Sequence, residues 1–176
     1  KMRLVHVEGA SIATGTAMTV VDGSVEECAA WVITGLDSRE TWNKMKQYGL
    51  VDINVKPINS HSLYYNTTRS LGMSGLANRE GRNKIIWHKE DDSKVFIDLS
   101  DTGDLQEDYP VKAGNVLATG HSVWIFEPLD PTGGVPQTAA TFTTKVDLGG
   151  NIPGFVMNRV APKFLSTVSR IREHFF

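Results

Sequence analysis

The last stretch of the chain constrains its fold more than any other. Val156, Val160, Phe164, Val168, Ile171 and Phe175 recur at steps of three and four, which puts them on one face of a helix. Pro153 stands where a first helical turn tolerates proline. Pro162 lies inside the run and predicts a bend or one lost hydrogen bond. From Pro153 to Phe176 such a helix measures roughly 35 Å, at about 1.5 Å per residue. An apolar face of that length spans a whole domain and needs a sheet to cover it.

The rest of the chain supplies that sheet. Thr16–Asp22 is rich in β-branched residues and runs into Asp22-Gly23, a strand and a turn. Ser24 followed by Glu26 and Glu27 caps a helix carrying Val25, Cys28, Ala29 and Val32, with Gly35 as its stop. Asp37 is a predicted cap for a short helix carrying Trp42 and Met45. From Leu50 the period falls to two, with Val51, Ile53 and Val55 alternating with polar residues and Pro57 and Asn59 predicting a turn. Leu63–Thr68 continues the strands, and Leu71–Gly81 interrupts them with glycines. Lys84–Lys89 and Lys94–Leu99 form a predicted hairpin around Asp91-Asp92-Ser93. Val111–Thr119 and His121–Glu127, separated by a turn at Gly120, and Thr138–Asp147, set off by a turn in Pro128–Gly134, complete the series. The fold class is α+β, in one domain, residues 1–176.

Composition narrows the function classes. A chain of 176 residues buries a core with room for a cavity. Its net charge of −2 lacks the basic excess of nucleic-acid binders, so no nucleic-acid partner is expected. Cys28 is the only cysteine, which excludes an internal disulfide and a cysteine-based metal site. No run is long enough to cross a bilayer, and no signal-peptide pattern opens the chain. Lys1 in place of an initiator methionine fits a piece of a longer protein. The histidines (His6, His61, His88, His121 and His174) stand apart, without metal-ligand spacing. Gly72-Met73-Ser74-Gly75 is not a nucleophile elbow. These readings predict no enzyme, no catalytic residue, no metal and no cofactor.

Three segments narrow the fold further. Asp37–Asn43 resembles the "R-x-x-W-D" segment of the START (StAR-related lipid transfer) family, with Asn43 in place of the usual Asp. Asn78-Arg79-Glu80 is similar to that family's "P-R-D" leading into the next strand. Asp147-Leu148-Gly149-Gly150-Asn151-Ile152-Pro153 resembles its "D-x-x-G-x-[IL]-P", which joins the last strand to the final helix. The likeness covers Thr16 to the end, with the family's leading helix and first strand absent or shortened. It implies a helix-grip fold, in which a curved antiparallel sheet wraps a long C-terminal helix around an internal apolar tunnel. Family members transfer or sense sterols, phospholipids, sphingolipids or carotenoids. The resemblance therefore implies a monomeric cytoplasmic carrier of one lipid-like small molecule, in transient peripheral contact with membranes. A ligand-sensing module of a larger protein and a cavity enzyme of the wider helix-grip group are the alternatives.

Candidate site residues follow from both readings. Val156, Val160, Phe164 and Val168 are candidates for the tunnel wall or lid. The resemblance makes Leu71–Ala77 a gate loop, with Met73 and Leu76 placed to touch ligand or membrane. Asn66, Thr68, His88, Asp98, Thr141 and Thr143 are polar residues on apolar strands, the kind that orient an apolar guest. Asp98 needs a partner if buried, and His88 is the expected one. The acid–arginine pair of several sterol-binding relatives maps by count to Asn66 and Ile85, so that pair is missing. Trp42, Arg79, Glu80, Asp147, Gly150 and Pro153 are predicted to be structural, with Arg79 and Glu80 as an ion pair at the loop exit. Arg159, Lys163, Arg170 and Arg172 give the terminal helix a basic face, either membrane-docking or simply solvated.

Overall fold

The computed structural model describes residues 1–6, 12–90 and 93–176. Strands β1 (Met2–His6) and β2 (Ile12–Val21) come first, then helices α1 (Val25–Gly35) and α2 (Arg39–Lys46). Strands β3 (Leu50–Asn59), β4 (Ser62–Arg69), β5 (Arg79–Lys89), β6 (Val95–Asp101), β7 (Val116–Thr132) and β8 (Val135–Asp147) follow. Helices α3 (Gly154–Leu165) and α4 (Thr167–His174) come last. All the described strands join one sheet in the order β1-β2-β8-β7-β6-β5-β4-β3. The chain opens on a short strand paired antiparallel with β2.

Local chemistry explains most boundaries. Ser24 and Glu27 close a reciprocal capping box at the start of α1, satisfying two otherwise free N–H groups. Ser38 caps α2, its Oγ accepting from the Thr41 N–H at 3.0 Å, so the cap lies one residue beyond the predicted Asp37. Asn59 ends β3 and shapes the predicted turn, its Oδ1 accepting from the His61 N–H at 2.8 Å, whereas Pro57 sits inside the strand. β3 is an edge strand, where a missing N–H costs no ladder bond.

The turn predicted at Gly120 is likewise absent, because β7 runs straight through it. A Cβ at Gly120 would lie 2.9 Å from the Lys145 carbonyl oxygen, so only glycine lets the strands approach there. Strand β7 starts at Val116 rather than Val111, and its first residues pair in parallel with Arg79–Gly81 before it turns to β6. At its far end it runs on to a two-residue turn, Gly133-Gly134. Ser93 is described, with its N–H bonded to the Glu90 carbonyl. The predicted Asp91 and Asp92 turn positions lie outside the described residues.

The terminal helix is divided, where the sequence predicts one rod with a bend. Pro162 lies inside α3, which runs on to Leu165, so its missing N–H is absorbed within the helix and the break falls beyond it, at Ser166. Ser166 Oγ then donates to the Lys163 carbonyl at 2.7 Å, the acceptor an unbroken helix would offer to Thr167. Ser166 ends α3 and caps α4.

Burial alternates along the strands and separates two faces. The inner face carries Ala17 and Val21 of β2, Leu63 of β4, Ile85 of β5, Val95 and Ile97 of β6, Trp124 and Phe126 of β7, and Ala140 and Phe142 of β8. They pack with Val25 and Cys28 of α1 and with Leu165, Val168 and Ile171 of the terminal helices. A second cluster joins Leu71, Leu148, Ile152, Val156, Met157 and Val160. Helix α1 lies over β6, β7 and β8, α2 over β3, α3 over β1, β2 and β8, and α4 over β2 and β8.

Cys28 tests this packing. Its thiol is fully buried, and burial pushes its pKa up to about 11, against a smaller opposing effect of a hydrogen bond with Thr138. At pH 7.5 we expect labelling by a disulfide reagent at least about a hundredfold slower than in denaturant. Equal rates would mean that this end of the core opens readily.

Candidate functional site

The second apolar cluster joins the glycine-bearing loop to the terminal helix. Leu71 is buried, and Met73 and Leu76 pack partly against a group that includes Val156 and Val160, with Phe164 also at its margin. Val168 belongs instead to the main core. Gly72 and Gly75 hold φ of 72° and 84°, so the loop turns twice where a side chain would be strained.

Arg79 ties this loop to the segment before α3. Its Nε donates to the Leu148 carbonyl at 2.7 Å, Nη1 donates to the Ala77 carbonyl, and Nη2 donates to the Gly149 carbonyl at 3.3 Å. Asp147 Oδ1 accepts from the Gly149 N–H at 2.8 Å, shaping the same turn. Gly150 has a φ of 69°, and Pro153 caps α3 with its carbonyl accepting from the Val156 N–H. Trp42 is half-buried, with Lys46 over its ring.

The predicted Arg79–Glu80 ion pair is not formed, because successive strand residues point to opposite faces. Glu80 instead bonds Arg82 at 2.9 Å, both side chains buried on the outer face. The segment after β6 covers them: Arg82 Nε donates to the Tyr109 carbonyl, and Glu80 accepts from the Lys112 N–H and from Asn115 Nδ2. Burial works to raise the Glu80 pKa, but the hydrogen bonds from Asn115, Lys112 and Arg82 hold it below the ordinary carboxyl range.

Most of the predicted polar strand residues also lie on the outer face. Asn66 and Thr68 alternate with Leu63 and Tyr65, and their cross-strand partners are Arg82 and Glu80. The Asn66 amide is buried there, and neither its nitrogen nor its oxygen has a hydrogen-bond partner among the described residues. Asn66 and Ile85 therefore face opposite ways and are not a cross-strand pair. His88 is exposed and stacks on Phe96 at 5.3 Å. Asp98 is not paired with it; it lies 2.6 Å from His121 Nε2 and accepts from Ser100 Oγ. Thr141 and Thr143 alternate with the buried Ala140, Phe142 and Thr144. Thr143 is exposed, its Oγ1 3.0 Å from that of Thr16.

The polar groups that do face inward are others. Ser122 Oγ and Thr144 Oγ1 lie 2.7 Å apart in phase with Trp124 and Phe142. Tyr65 and Arg69 share the phase of Leu63 on β4. From α4, Arg170 reaches toward the same strand. Its Nη1 lies 2.8 Å from Met45 Sδ, its guanidinium 6.0 Å from the Tyr48 ring, and its buried Nε has no partner among the described residues. Arg170 therefore does not belong to the solvated basic face, whereas Arg159 and Lys163 are exposed. Burial, then the charge of Arg69, lowers the Arg170 pKa. Burial raises that of Tyr65, against the two arginines, so its phenol stays protonated.

This geometry, a curved sheet closed by a terminal helix and a loop clamped to that helix, is that of the helix-grip fold. Comparison of shapes specifies it as the START type. The human StarD13 (DLC2) lipid transfer and protein localization domain superposes with a TM-score of 0.70 at 17% identity, covering 94% of this chain and 78% of that one. A STAR-related lipid transfer protein from Xanthomonas axonopodis gives 0.70 at 15% identity, covering 99% and 92%. A norcoclaurine synthase from Thalictrum gives 0.50 at 10% identity, covering 97% of each. No family sequence model matches the chain, and no curated protein matches it in sequence.

Proposed function

We propose that this domain binds one lipid-like molecule between the sheet and the terminal helices and carries it between membranes. The observation that carries the reading is the uneven cover of the inner face. Val55, Tyr65, Trp87 and Leu99, on β3 to β6, are only partly buried, while the terminal helices lie mainly over β1, β2 and β8. An apolar guest would recover that burial at about 25 cal/mol per Å². The Leu71–Ala77 loop, seated on α3 by Leu71, Met73 and Leu76, is the gate in this reading. Phe155 is 65% exposed at the start of α3, and Arg159 and Lys163 follow at steps of four. That apolar and basic face suits transient contact with an anionic membrane surface. Among the described residues no helix is long and apolar enough to cross one.

Incubation of the protein with mixed lipids, followed by native mass spectrometry, tests the reading. One lipid retained per chain is the expected result. No stoichiometric lipid from any mixture would remove the carrier reading. The enzyme alternative required an inward acid–base pair of His88 and Asp98, and those residues are neither paired nor inward.

A further inference from the structure

Two arginines converge on the inner face without an acid between them. Arg69 projects from β4 in phase with Leu63 and Tyr65, and Arg170 reaches from α4, which itself packs on β2 and β8. Arg170 thus reaches across to Met45 and Tyr48, at the end of α2 and just before β3. Among the described residues, neither guanidinium has a carboxylate within salt-bridge distance. Leu50 pairs with Arg69 and the Ser70 N–H donates to the Gly49 carbonyl, which brings Arg69 close to Tyr48, the ring on which the Arg170 guanidinium lies. Holding two half-buried cations together is costly unless an anion joins them. The Arg170 Nε is a buried donor with no hydrogen-bond partner among the described residues, and such a group is rarely left so. Tyr65, on the same face of β4 as Arg69, adds a neutral hydroxyl that can donate its proton.

We propose that Arg69 and Arg170, with Tyr65 beside them, form the polar end of the ligand site and take a lipid bearing a carboxylate or phosphate anion. Guanidinium groups suit both, since each presents parallel N–H donors to a pair of oxygens. The apolar part of the ligand would lie along Val55, Trp87 and Leu99. This inference rests on the carrier reading, so its test must fail separately from it.

The test compares ligands with the same chain and different heads, bound to delipidated protein and followed by calorimetry. Oleate is set against oleyl alcohol, and dioleoyl phosphatidate against dioleoylglycerol. The wild-type protein is expected to bind the anion of at least one pair more tightly than its neutral counterpart, by about tenfold or more. Arg170→Met and, separately, Arg69→Gln should erase that preference and leave affinity for the neutral lipid within about twofold. A preference within the oleate pair alone identifies a carboxylate, and within the phosphatidate pair alone a phosphate. Equal affinity for charged and neutral heads, or a preference that survives both substitutions, overturns the anion site while leaving the carrier reading intact. Binding of none of the four lipids overturns the anion site, and the mixed-lipid mass spectra then decide the carrier reading separately.

Discussion

Replacing Arg79 with leucine is expected to lower the unfolding free energy by about 3–4 kcal/mol, with three backbone carbonyls losing a charged donor at once. The residue is 5% exposed, so water does not readily take the guanidinium's place. The effect should be local before it is global. Ala77 ends the glycine-bearing loop, and Leu148 and Gly149 precede α3, so one side chain holds both halves of the proposed gate. Amide exchange in Leu71–Ala77 and in the turn before α3 should quicken in the variant, while the centre of β7 and β8 keeps its protection. Lysine at the same place keeps the charge but offers one compact donor group, and should recover less than half of the loss. Urea unfolding gives the energy and hydrogen exchange gives its location. A loss below about 1 kcal/mol with unchanged loop exchange would remove Arg79 from this role.

The second large effect is expected on the opposite face of the sheet. Glu80→Ala leaves the Arg82 guanidinium buried without its carboxylate and should cost about 3–5 kcal/mol. The segment over the pair loses two further bonds, from Asn115 and from the Lys112 N–H. Glu80→Leu combined with Arg82→Met should regain most of the loss, because apolar groups of similar size replace a buried pair at little cost. The pair also makes a pH prediction. The Glu80 carboxyl is held below its ordinary value in the folded state. Its contribution is therefore complete above the unfolded value, about 4.3, and is lost as pH falls through the lower folded value. Acid unfolding of the double variant should lack that component. A double variant as unstable as Glu80→Ala would show that the loss comes from shape rather than from the stranded charge.

Local chemistry made much of this fold legible. The Ser24–Glu27 box needs only residues three apart, and the stripe from Val156 to Phe175 is a property of one segment. The turn from Asp147 to Pro153 was legible through its resemblance to a family motif, with Pro153 alone readable as the start of a helix. Strand facing was not. Alternation divides a strand into two sets without saying which set is inward, and here both sets contain buried polar residues. Asn66 and Thr68 pair with Arg82 and Glu80, and the segment bonded over those two includes Lys112, 32 residues beyond Glu80, with a polar composition that gave no sign of such a role. Asp98 met His121 rather than His88 because its nearest partner lies on β7, which only the sheet order reveals. Arg69 could have been found, since it keeps step with Leu63 and Tyr65. Arg170 could not, because its neighbours come from α2 and β4.

The seam between β2 and β8 joins opposite ends of the chain, with Ile12 beside Asp147 and Val21 beside Thr138. During synthesis the first two strands must wait for the last one to emerge, a delay of roughly ten seconds at ordinary translation rates. Through that interval β2 presents an unpaired edge, the kind of surface on which chains aggregate. Ribosomal order thus works against this sheet, and a chain shortened at its C-terminus before β8 would leave that edge open for good.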